Sequence, residues 1–217
     1  MPSIEIQNIS KKFQDNLVLD HVNASFSGGR IIGLVGRNGS GKTVLLKMIC
    51  GLMPVDSGEI RINGIPLGRS GKPVANVGAI IETPGFLPLV SGFRNLSYLA
   101  GVRGKIGRKE IERAIEMVGL DPRLHKRVGA YSLGMRQRLG IAQAIMENPE
   151  ILVLDEPMNS LDDTGVRDMR KLFQQMRDEG KLIIIATHVR EDVDTLCDEV
   201  YRMQAGKMSI ESPVRTV

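Results

Sequence analysis

Eight consecutive residues, Gly36-Arg37-Asn38-Gly39-Ser40-Gly41-Lys42-Thr43, carry glycines, a lysine and a hydroxyl in the spacing of a phosphate-binding loop. Glycines at 36, 39 and 41 let the backbone turn so that successive N–H groups point inward at phosphate oxygens. A helix starting at Lys42 adds its unsatisfied N-terminal N–H groups and the positive end of its dipole. Lys42 supplies a cation to the β- and γ-phosphates, and the Thr43 hydroxyl is a ligand for Mg²⁺. Alone, the loop specifies a nucleoside triphosphate and no particular reaction. A second constellation follows at residues 151–156, where Ile151-Leu152-Val153-Leu154 ends in Asp155-Glu156. The apolar run reads as a buried strand, and a carboxylate at its C-terminal end is placed to hold Mg²⁺, directly or through water. Glu156, next along, is placed to take a proton from water attacking the γ-phosphate. Acidic residues also follow strands without doing chemistry; the phosphate loop in the same chain favours the catalytic reading.

The elements that must position these residues follow from periodicity. Residues 3–9, 17–26 and 30–35 read as strands bounded by Gly, Asn or Asp. Residues 42–52 read as a helix stopped by Pro54, and 59–63 and 77–82 are again strand-like. From 91 to 148 the pattern is mostly helical, with an amphipathic segment at 108–118 and a further helix at 133–147. Residues 151–154 and 182–186 are buried strands separated by a helix at 164–179. This alternation predicts an α/β fold with a mostly parallel sheet and a helical insertion. No internal repeat or low-complexity stretch interrupts it.

Composition narrows the function class. The 217 residues suffice for one well-cored domain, and the 42% hydrophobic and 25% charged content is that of an ordinary soluble globular protein. A net charge of +4 raises the question of nucleic acid, but the chain has no Trp and only 4% aromatic residues, too few for a base-stacking platform. The densest basic cluster, Arg103, Lys105, Arg108, Lys109 and Arg113, reads as a solvated face, with anionic lipid as the lesser option. Cys50 and Cys197 form no metal-type pair and are expected to be reduced thiols. The longest apolar runs are too short to span a bilayer, and no signal peptide is expected from the first residues.

Further motifs appear in a fixed order: Phe13, Ile81-Glu82-Thr83, Tyr131-Ser132-Leu133-Gly134-Met135, Ser160-Leu161-Asp162 and His188. With the two constellations above they resemble the ABC-family ATPases over nearly the whole length. The resemblance implies a P-loop NTPase, RecA-like core with an N-terminal antiparallel β subdomain, covering 1–86 and 149–217, and an inserted helical subdomain at 87–148. It implies that Phe13 stacks on adenine, with a core side chain as the lesser alternative. Residues 36–43 bind ATP, Glu156 and His188 are catalytic, and Thr43, Asp155 and Glu82 surround Mg²⁺. Ser132 and Gly134, which read alone cap a helix, are expected to close over the ATP of a second subunit in a head-to-tail dimer, homomeric in the simpler case. The other expected partner is a separate membrane permease, which holds the subunit at the inner face of the membrane.

Two departures sharpen the resemblance. Tyr131, Leu133 and Met135 replace the usual Leu, Gly and Gln of the signature, and Glu82 stands where glutamine is usual. Together they resemble ATPase subunits of the bacitracin and lantibiotic exporters. The alternatives are a soluble ABC-type ATPase acting on ribosomes or nucleic acid and a regulatory nucleotide binder without turnover. The first class carries two ATPase copies, a long coiled coil or a nucleic-acid module; Glu156 and His188 speak against the second.

Overall fold

The apolar runs become neighbours in one six-stranded sheet of a computed structural model that describes residues 1–67 and 76–211. The order across the sheet is β10 (Lys207–Glu211), β9 (Glu199–Gln204), β3 (Arg30–Val35), β8 (Leu182–Ala186), β7 (Ile151–Asp155) and β6 (Val77–Ile80). All neighbours run parallel except the terminal pair β9–β10. A parallel strand is covered on both faces, so it is apolar throughout, and its alternate residues divide between two cores. Ile31, Leu152, Leu154, Ile183 and Ile185 face one; Ile32, Leu34, Ile151, Val153 and Ile184 face the other. Each such fully buried side chain contributes about 1.5–3 kcal/mol.

The first core is closed by helices. α2 (Gly92–Arg103), α3 (Arg108–Met117), a 3₁₀ turn (Val128–Ala130) and α4 (Leu133–Ile145) all lie in sequence between the adjacent strands β6 and β7. α5 (Asp163–Asp178) and α6 (Arg190–Leu196) follow, and Leu96, Ile115, Leu139, Phe173 and Leu196 pack into the same cluster. The second core is closed by α1 (Lys42–Ile49) and an antiparallel sheet of order β2-β1-β4-β5: β2 (Asn16–Ser27), β1 (Ser3–Phe13), β4 (Ser57–Ile62) and β5 (Ile65–Pro66). The chain is therefore three layers deep, with the parallel sheet in the middle. Among the described residues, no helix is long and apolar enough to cross a membrane.

Several boundaries differ from the sequence expectation for local reasons. α1 ends at Ile49 rather than at 52, because Gly51 takes a left-handed conformation (φ 69°). Its N–H donates to Met48 O and that of Leu52 to Lys47 O, a Schellman stop reached before Pro54 acts. β1 runs four residues past the expected 9, and β6 stops at Ile80 because Glu82 turns to φ 61°. The β9–β10 hairpin had no expectation; its alternation is broken by charged residues on an edge.

Gly78 on β6 is where the helical layer meets the sheet. A Cβ there would stand 2.0 Å from Ala144 O on α4 and 2.8 Å from Pro149 Cγ. The Ala144 carbonyl cannot yield without moving α4. Gly78→Ala is expected to cost about 1–3 kcal/mol of stability, read as a lowered urea midpoint with unchanged slope.

Candidate nucleotide site

The loop leaving β3 folds as its glycines require. Gly41 caps α1 with φ 101°, and a Cβ on it would meet Leu19 Cδ2 at 2.8 Å and Val18 O at 2.9 Å. Only glycine suits this position, on both backbone and packing grounds. Lys42 is 7% exposed and folds back over the loop, donating from Nζ to Gly36 O at 2.7 Å and to Arg37 O at 3.3 Å. Ser40 Oγ is buried and has no hydrogen-bond partner among the described residues. A buried cation and an orphaned hydroxyl at a helix N-terminus fit a phosphate chain, whose oxygens accept from all of them.

Register brings the acidic residues to the same edge. Leu34, Ala186 and Asp155 lie in line across β3, β8 and β7. The next residues leave the sheet together, tied by Thr187 N–H to Leu34 O at 3.2 Å and Glu156 N–H to Ala186 O at 2.8 Å. Thr43 Oγ1 donates to Asp155 Oδ2 at 2.7 Å, joining the first turn of α1 to the end of β7. These hard oxygens fit Mg²⁺, which takes one or two protein ligands beside substrate phosphate and water. No cluster of three or more metal-ligating acidic, His or Cys residues occurs among the described residues.

Glu156 occupies a left-handed conformation (φ 49°) unusual for its type. Its Oε1 lies 2.7 Å from His188 Nδ1, and since an ionised carboxylate only accepts, Nδ1 is the donor. Its Oε2 is buried with no partner among the described residues. Gln137 on α4 steadies the same turn, donating from Nε2 to Glu156 O at 3.3 Å and Pro157 O at 2.9 Å.

A cavity of about 780 Å³ joins these groups. Asn38 to Thr43, Asp155 and Glu156 line it, together with Phe13, Asn16 and Val18 from the β1–β2 hairpin. Phe13 is 44% exposed at the tip of the β1–β2 hairpin, so it is no core residue. Glu82 also lines the cavity, and its Oε1 pairs with Lys47 Nζ at 2.7 Å. Arg37 and His188 line a neighbouring cavity with Gly36. Ser132 and Gly134 line neither. Ser132 Oγ caps α4 by accepting from Met135 N–H at 3.1 Å, and a Cβ on Gly134 would lie 2.9 Å from Ser160 O. Between them, Leu133 is 64% exposed and reaches the cavity wall.

The structure thus gathers ten of the expected residues around one cavity: Phe13, the six from Asn38 to Thr43, Glu82, Asp155 and Glu156. His188 joins through Glu156, and Gly36 and Arg37 through Lys42. Sequence reasoning assigned no role to Lys47 or Gln137. Lys47 lies one helical turn beyond Thr43, a spacing that puts both on one face of α1 and was available as a signal.

Comparison with known proteins agrees with this geometry. Residues 19–159 match the family model described as ABC transporter. The chain is 41% identical over 212 residues to the uncharacterized ABC transporter ATP-binding protein YdbJ of Bacillus subtilis (strain 168), covering 97% of this chain and 69% of YdbJ. It is 39% identical over 207 residues to the bacitracin transport ATP-binding protein BcrA of Enterococcus faecalis (94% and 67% covered). With the lantibiotic transport ATP-binding protein SrtF of Streptococcus pyogenes it shares 32% over 208 residues (96% and 90%). Its fold matches a dimeric post-hydrolysis state of an ATP-binding cassette bound to ADP and Pi, with TM-score 0.87 at 22% identity, covering 99% of this chain and 100% of that one. Cradle, strand-end carboxylates and relatives therefore converge, and the chain belongs to the ABC transporter family as an ATP-binding subunit.

Proposed function

We propose that this subunit hydrolyses ATP to power a separate membrane permease that exports a peptide antibiotic of the bacitracin or lantibiotic kind. The observation that carries the hydrolytic reading is Glu156. One carboxylate oxygen is engaged by His188 and the other is buried with no partner among the described residues, on a side chain that lines the same cavity as the phosphate loop. In this reading Oε2 accepts the proton of a water whose oxygen attacks the γ-phosphorus, while the bond to the β,γ-bridging oxygen breaks and ADP departs. His188 holds the carboxylate in place through Oε1. Lys42 and the loop N–H groups hold the phosphates in line and offset the charge they carry. Thr43 and Asp155 would hold Mg²⁺, with Glu82 on the wall of the same cavity, and the ion would supply charge neutralisation to the phosphates.

The head-to-tail assembly is supported by the place of the two signature residues. Ser132 caps α4 and Gly134 lies in its first turn, and neither lines the cavity around this chain's own phosphate loop. A helix N-terminus suits a γ-phosphate, and in a head-to-tail dimer it meets the ATP of the second copy. The exporter reading is supported by Glu82 and the Tyr131–Met135 variant, and by likeness to BcrA and SrtF. Docking on a permease would hold the subunit at the cytoplasmic face of the membrane.

Glu156→Gln removes the proton acceptor and keeps the shape. ATP affinity by titration should stay near wild type, while phosphate release falls by about 10²–10⁴-fold; near-normal turnover would remove Glu156 from this role. Glu82→Gln dissolves the pair with Lys47 and should shift the Mg²⁺ midpoint for hydrolysis by about two- to five-fold, the range an exposed ion pair supports. An unmoved midpoint in the assembled complex would separate Glu82 from the metal. For the partner, purification from solubilised membranes should yield a permease whose complex hydrolyses ATP faster with bacitracin or a lantibiotic. Recovery of ribosomes or DNA instead would overturn the transport reading.

A further inference from the structure

Lys11 is one of the few charged residues buried in this chain, at 8% exposure, and the chemistry above makes no use of it. It lies on β1 two residues before Phe13, a spacing that puts both side chains on one face of the strand. The register shift at this end of the hairpin leaves Val18 of β2 as an extra residue between Leu17 and Leu19, so alternation along β1 is undisturbed. The Lys11 ammonium stands over the Phe13 ring, 5.5 Å from its centroid. It is fixed there by Asp56, whose Oδ1 accepts from Nζ at 2.5 Å, while Oδ2 accepts from the Lys12 backbone N–H at 2.9 Å. The Lys11 hydrogen bond, followed by that from Lys12, holds the Asp56 carboxyl below the usual carboxylate range. Asp56 ends the loop that leaves α1, the helix opened by the phosphate loop.

We propose that Lys11 and Asp56 are positioning residues for nucleobase recognition: they hold the Phe13 ring at the mouth of the cavity and link it to the phosphate-loop helix. The proposal rests on the reading of Phe13 as the platform for adenine. A ring this exposed at a hairpin tip would otherwise sample several rotamers, each an entropy cost when a base stacks on it. An ammonium over one face restricts the ring and leaves the opposite face for the base. Asp56 bonds Lys11 and Lys12, the two residues that precede Phe13, and so ties this end of β1 to the loop that leaves α1.

The test measures Mg²⁺-ATP and inorganic triphosphate separately, the second reporting the phosphate cradle without a base. Lys11→Met and Asp56→Asn should each weaken ATP about three- to ten-fold, the range of a partly desolvated cation–π contact. Triphosphate affinity should stay unchanged, and Lys11→Arg should restore ATP binding. The chain has no Trp, so Phe13→Trp gives a single fluorescent reporter. Its emission should shift with ATP, and Lys11→Met in that background should broaden its lifetime distribution. Equal loss of ATP and triphosphate binding in both variants would overturn the proposal by reducing the pair to a fold contact. Unchanged ATP affinity in both, with Phe13→Ala weakened, would overturn it while leaving the platform standing. If Phe13→Ala itself binds ATP normally, the platform reading falls and the proposal with it.

Discussion

The site depends on three strands ending together. β3, β8 and β7 are parallel and in register, so Leu34, Ala186 and Asp155 form one row across the sheet. Each chain turns out of the sheet just past that row. One gives the phosphate loop, one His188 and one Glu156. Shift the pairing by a residue and every side chain changes face; the apolar residues of both cores would then meet the wrong layer. The register that keeps hydrocarbon buried is thus the register that brings Lys42, Asp155, Glu156 and His188 within reach of each other. The Thr43–Asp155 hydrogen bond closes the arrangement by fixing the first turn of α1 against the end of β7.

Such an edge carries strain. Glu156 sits at φ 49°, in a region that costs a β-carbon-bearing residue about 1–2 kcal/mol. The surroundings hold it there through its own N–H to Ala186 O, its carbonyl to Gln137, and its carboxylate to His188. Two of those three partners come from separate elements, β8 and α4. The position of the carboxylate is therefore set jointly by the sheet and by the helix whose cap is Ser132.

Much of this was legible in the sequence because the chemistry is local. Three glycines, a lysine and a threonine within eight residues constrain the backbone wherever they occur, and four apolar residues before Asp155-Glu156 announce a buried strand and its end. Element types at 30–35, 151–154, 164–179 and 182–186 were readable for the same reason. What escaped was long-range or competitive. The end of α1 was decided by Gly51, whose left-handed stop acts before Pro54. Lys47 with Glu82, Lys11 with Asp56 and Gln137 with the Glu156 turn join residues far apart in the chain. No periodicity encodes such pairs. The β9–β10 hairpin escaped because its alternation is diluted by Glu199, Arg202, Lys207 and Glu211 on an exposed edge.

Arg170 shows how a pairing invisible in the sequence bears on the visible motif. It is 9% exposed on α5 and donates from Nε and Nη2 to Asp192 Oδ1, and from Nη1 to Glu191, both on α6. Burial works against its charge, but the bonds to Glu191 and Asp192 outweigh that and raise its pKa above the usual value. A buried ion pair is weak grounds for stability, because desolvation cancels much of the attraction. What it does provide is geometry. α5 begins a few residues after Glu156, and α6 begins just after His188. Joining the two helices braces both sides of the Glu156–His188 contact against each other. The carboxylate and the imidazole lie on loops, where side chains ordinarily wander; here the helices behind those loops are locked together, and a distance of 2.7 Å is held by residues that touch neither partner.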